Sequence, residues 1–92
     1  IQMRYLMEWR MRDGCHEKSA YKFLGGGGHF PDANIIGRFH APGSQKGWII
    51  LETENPQCIY SHVAEWAEYL SWETTPIYTD EEASPLIAKV YS

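Results

Sequence analysis

The 92-residue sequence has no long apolar run: the longest unbroken one, Trp48-Ile49-Ile50-Leu51, falls far short of the roughly 20 residues that cross a bilayer as a helix. It has no basic cluster either. Lys and Arg number 8 against 12 Asp and Glu, for a net charge of −4, and their dispersal disfavours partners held through phosphate backbones or anionic lipid. The opening Ile1-Gln2-Met3-Arg4 begins no signal-peptide pattern, so a cytoplasmic protein is expected. Cysteine is scarce. Cys15 and Cys58 are too far apart for a CxxC site and too few for a disulfide scaffold, which makes reduced thiols the expectation.

Several motifs are missing as well. No Gly-x-Ser-x-Gly elbow occurs, and the neighbours Ser61 and His62 do not make a triad, which argues against a serine hydrolase. Gly25-Gly26-Gly27-Gly28 is followed by no Gly-Lys-Ser/Thr and comes after a helical pattern, whereas phosphate loops precede one. It reads as a linker or as a flap. His16, His29, His40 and His62 with the two cysteines offer no pair at zinc-site spacing, and neither metal nor cofactor is expected.

Aromatic residues, by contrast, are abundant: Trp 4, Tyr 6 and Phe 3. The length fits a single domain spanning 1–92, and so heavy an aromatic load in so small a core argues for self-association. From Met3 to Met11 the residues alternate, with Met3, Tyr5, Met7, Trp9 and Met11 on one parity, the signature of a strand with one buried face. Asp13-Gly14 breaks it. His16 to Leu24 reads as a short helix on Ala20, Phe23 and Leu24, which the four glycines end. Strands are predicted at Asn34–Ala41 and Gly47–Thr53, joined through Pro42-Gly43-Ser44. Asn55-Pro56 then caps a helix carrying Ile59, Val63, Trp66 and Leu70 at i, i+4, i+7 and i+11. A fourth strand is predicted at Trp72–Tyr78. Thr79-Asp80-Glu81-Glu82 resembles a capping box, and Ser84-Pro85 restarts a short terminal helix with Leu86, Ile87 and Val90.

The predicted order of strand, helix, strand, strand, helix, strand and short helix matches the α+β, ferredoxin-like βαββαβ arrangement. Both longer helices would cover one face of a four-stranded antiparallel sheet. The other face would stay bare unless two sheets stacked as a dimeric α+β barrel. The sequence also resembles a family of small bacterial proteins of unknown function in the dimeric α+β barrel superfamily. Met7-Glu8-Trp9-Arg10, Gly37-Arg38-Phe39-His40-Ala41, Glu52, Ala64-Glu65-Trp66 and Thr75-Pro76-Ile77 carry the resemblance, which spans nearly the whole chain. It implies a homodimeric barrel and no established reaction. Some superfamily members carry a haem ligand in the helix that holds His62; the plainer reading is an exposed helical histidine.

Strand parity sorts the charged residues. With Met3, Tyr5, Met7 and Trp9 under the helices, Leu6, Glu8 and Arg10 face the other way. In the second strand Ile35, Gly37 and Phe39 suit the helix side, leaving Ile36, Arg38 and His40 opposite. In the third, Ile49 and Leu51 suit the helix side, leaving Trp48, Ile50 and Glu52. A hairpin register pairing His40 with Trp48 and Arg38 with Ile50 gathers Glu8, Arg10, Arg38, His40, Trp48 and Glu52 on one face. The fourth strand leaves Trp72 and Tyr78 competing with Glu73 and Ile77 for one side.

Lining the space between two subunits, that face would form a chamber for a small aromatic or carboxylate-bearing ligand. Arg10 and Arg38 would clamp its charge, Trp48 would stack on it and Glu52 would contact it. In an enzyme version His40 is the catalytic base, oriented by Glu8 or Glu52, for a cofactor-independent monooxygenase- or isomerase-like reaction. The alternative is a non-catalytic structural or regulatory dimer whose charged face is only the subunit interface, its acids and arginines paired to fix the register.

Overall fold

The structure is a computed structural model and describes residues 2–92. It is an α+β arrangement of strands β1 (Met3–Met11), β2 (Asn34–His40), β3 (Lys46–Thr53) and β4 (Leu70–Ile77) with helices α1 (His16–Lys22), α2 (Gln57–Trp66) and α3 (Asp80–Val90). The strands form one antiparallel sheet in the order β2-β3-β1-β4, compatible with a ferredoxin-like βαββαβ fold.

The alternation of β1 does what its parity predicts. Met7 and Trp9 are buried, and their register partners Ile49 and Gly47 on β3 share that face. A core of Met7, Phe30, Ile49, Leu51, Cys58 and Ile59 lies under α2, and a second cluster of Trp9, Trp66 and Leu70 lies beside it. Leu70, expected as the last apolar position of the second helix, instead opens β4. Gly47 is required by packing: a Cβ there would lie 2.3 Å from Cζ2 of Trp9 and 2.5 Å from the Phe39 carbonyl oxygen. The Trp9 indole rests across the β3 backbone in the space that a side chain would fill.

Three local expectations change. The glycine tract does not stop α1 outright, because the chain continues through a π-helical turn, Phe23–Gly27, that includes Gly26 at φ 96°. Pro56 and not Asn55 is the N-cap of α2; Asn55, one residue earlier, accepts through Oδ1 from the amide of Gln57, the first helical residue, at 3.2 Å. The terminal helix does not restart at Pro85. It begins at a complete capping box, in which the Thr79 hydroxyl accepts from the Glu82 amide and the Glu82 carboxylate accepts from the Thr79 amide. Pro85 lies within this helix, and its missing N–H breaks one backbone bond. No helix among the described residues is long and apolar enough to cross a membrane.

The largest departure is in β2. Ile35 opposes Leu51, yet Gly37 opposes Ile50, so Ile36 is an extra residue bulged out of the ladder. One inserted residue reverses the facing of everything after it. Arg38 therefore opposes Ile49 and His40 opposes Gly47 on the helix side, while Gly37 and Phe39 lie on the open side opposite Ile50 and Trp48. The expected His40–Trp48 and Arg38–Ile50 register is replaced. In β4, Glu73 opposes Glu8 and Ile77 opposes Arg4 on the open face, whereas Trp72 opposes Trp9 on the helix side.

Candidate functional site

The reversal in β2 splits the expected six-residue cluster. Glu8, Arg10, Trp48 and Glu52 remain on the open face, but Arg38 and His40 enter the space between sheet and helices. On the open face the Trp48 indole donates from Nε1 to the Glu8 carboxylate at 3.1 Å, and Arg4 bridges Glu52 at 3.1 Å and Glu82 at 3.0 Å. Glu8 faces Glu73 across the strands, while Arg10 and Lys46 pair in the next register row. Among the described residues neither Arg10 nor Lys46 has an ion-pair partner; Lys46 lies over the Trp48 ring at 5.7 Å. Glu8 and His40 therefore lie on opposite sides of one sheet and cannot act together within one chain.

Between the sheet and helices α1 and α2 is a cavity of about 540 Å³. Trp9, Trp66, Trp72 and Phe23 supply its aromatic wall, and Arg38, His40 and His62 its principal polar groups. Gly28, the last residue of the glycine tract, lines it as well. The Trp66 indole donates to the Gly27 carbonyl oxygen at 3.0 Å, and Arg38 Nη2 donates to that of Gly28 at 2.6 Å. Lys22 ties the end of α1 to α2 by donating to the Glu65 carbonyl oxygen at 2.6 Å, with its ammonium 4.8 Å from the Trp66 ring centre. The two bonds to Gly27 and Gly28 fasten the end of the glycine tract to α2 and β2. At the opposite rim His16 Nε2 is 2.9 Å from the Gly43 carbonyl oxygen.

His62, which reads from sequence as an exposed helical residue, is 5% exposed. Its ring stacks on Phe30 at 4.2 Å and meets Trp72 edge-on at 5.6 Å. Burial, reinforced by the charge of Arg38, pulls its pKa down to about 4 against an opposing pull from Glu65, so the imidazole is neutral at pH 7. A sequence signal for this existed: positions 59, 62, 63 and 66 share one helical stripe. His40 is exposed at the mouth, in edge contact with Trp9 at 5.4 Å and Phe23 at 5.5 Å.

Two further cavity residues have no site signature in the sequence. The Ser19 hydroxyl and the Trp72 indole nitrogen are buried without a hydrogen-bond partner, and both residues line the cavity. Buried donors are almost always paired, because leaving one bare costs about 1–3 kcal/mol. With less than 1 Å² of accessible surface each, both atoms lie within the cavity wall and not on its surface. Among the described residues no group of three or more His, Cys, Asp or Glu side chains is placed to hold a metal.

The family model for a domain of unknown function, DUF3303, matches residues 3–91, and the chain belongs to that family. No curated protein matches it.

Proposed function

We propose that this member of the DUF3303 family is a homodimeric small-molecule-binding protein. Its ligand occupies the cavity between the sheet and helices α1 and α2, and its open sheet face stacks on that of a second copy as in a dimeric α+β barrel. The observation that carries the ligand reading is an aromatic-walled cavity of about 540 Å³ lined by Arg38, which has no carboxylate partner among the described residues. That volume is within the range of small-molecule sites, as is an apolar wall with few, convergent polar groups. The reading keeps Arg38 and His40 as ligand residues and moves them away from Glu8, Arg10, Trp48 and Glu52, which serve association. It favours binding over the enzyme version, in which His40 would need Glu8 or Glu52 beside it.

The dimer reading has its own support. The open face presents Phe39 at 55% exposure beside Trp48, with Glu8 and Glu73 adjoining an unpaired Arg10 and Lys46. A two-fold partner can set one row against the other. On α3, Leu86, Ile87 and Val90 form an exposed apolar stripe that a second copy would cover.

Native mass spectrometry of the protein purified from its own host tests both parts. A dimer retaining a small-molecule mass is expected, and Ala20→Phe, which fills the cavity from α1, should release that mass while keeping the dimer. A retained mass that Ala20→Phe leaves in place overturns the cavity assignment, and an empty protein overturns the ligand reading; a monomer overturns the dimer.

A further inference from the structure

Resting on the cavity reading above, we infer that the ligand is a planar aromatic carboxylate, held by its charge at Arg38 and by its ring against the aromatic wall. The polar inventory of the cavity is one-sided. Its lining includes no Asp, Glu or Lys, so Arg38 is the only permanently charged side chain there. Among the described residues Arg38 has no carboxylate within ion-pair distance, and its one hydrogen bond runs from Nη2 to the Gly28 carbonyl oxygen. A guanidinium carries five N–H donors in a planar fork shaped to a carboxylate. A partly buried cation without a counter-charge is costly, and an anion entering beside it removes that cost.

The remaining groups narrow the class. Trp9, Trp66, Trp72 and Phe23 present flat apolar surfaces, against which an aromatic ring gains stacking beyond area alone. Phe23 also lies against Arg38, 5.7 Å from its guanidinium carbon, so cation and aromatic wall adjoin. The low proton affinity of His62 fits this arrangement, since the neutral ring spares the pocket a second buried cation.

The test is calorimetric titration of the full chain at pH 7 with 2-naphthoate and with its uncharged isostere 2-naphthamide, followed by octanoate. Naphthoate is expected to bind at least tenfold more tightly than naphthamide and more tightly than octanoate. Arg38→Gln should erase the preference over naphthamide while leaving naphthamide affinity within about threefold. Equal affinity for naphthoate and naphthamide in the unsubstituted protein overturns the anion assignment and leaves the cavity reading standing. Tighter binding of octanoate overturns the aromatic part. Binding of none of the three overturns the inference, while the cavity reading is decided separately by the Ala20→Phe mass measurement. The comparison in the unsubstituted protein decides between these outcomes even if Arg38→Gln does not fold.

Discussion

His62 shows how one side chain can couple the core to pH. Its pKa falls from 6.5 to about 4 on folding, so between those values the unfolded chain binds a proton that the folded chain refuses. Stability is therefore complete above pH 6.5 and declines as pH falls toward 4. At 1.36 kcal/mol per pKa unit the full loss is about 3 kcal/mol. Melting curves from pH 7 to 4.5 should show a steeper fall for the natural sequence than for His62→Phe, which stays apolar beside Phe30. Parallel slopes would mean that His62 is already hydrated in the folded protein. Glu82 acts in the same direction at lower pH, because the Thr79 amide and hydroxyl hold its carboxyl below the usual range; the variant comparison removes its contribution.

At the scale of the element, the alternation in β1 and β3 was readable because each side chain has a period of two and both strands run without interruption. Met7, Trp9, Ile49 and Leu51 were placed on the correct face by that pattern alone. The pattern failed in β2, where the bulge at Ile36 has no mark in composition: an Ile-Ile-Gly sequence fits a regular strand as well as a bulged one. Arg38 and His40 followed Ile36 to the wrong face as a direct result. Ser19 and Trp72 were illegible for a different reason, since an unpaired donor is a property of surroundings and not of residue type. The tie between β1 and β3 is testable at Gly47. Gly47→Ala drives a methyl into the Trp9 ring and the Phe39 carbonyl, and should lower stability by about 1–3 kcal/mol, visible as a lower urea midpoint with little change in slope. No shift would show that the Trp9 indole moves aside freely.

For the whole molecule, the two faces of the sheet divide the work proposed here, one holding a ligand and the other a partner. The open face is accordingly where electrostatic substitutions should act on assembly. Lys46→Glu should raise the dimer dissociation constant at least tenfold in sedimentation equilibrium, and Glu73→Lys added to it should recover much of the loss; an unchanged constant in the single variant removes the charge-pairing argument. The division itself depends on a count. Downstream of Ile36, which side chain reaches the cavity is decided by whether the number of residues before it is odd or even. Deleting a single codon there would exchange the two sets wholesale, sending Phe39 and Gly37 inward and expelling Arg38 and His40 to the surface. Substitutions can only tune such a site by degrees. A one-residue insertion or deletion in this strand is a discrete event that removes the site's only permanently charged side chain in one step, so length variation at this point would separate proteins of one fold into different ligand chemistries.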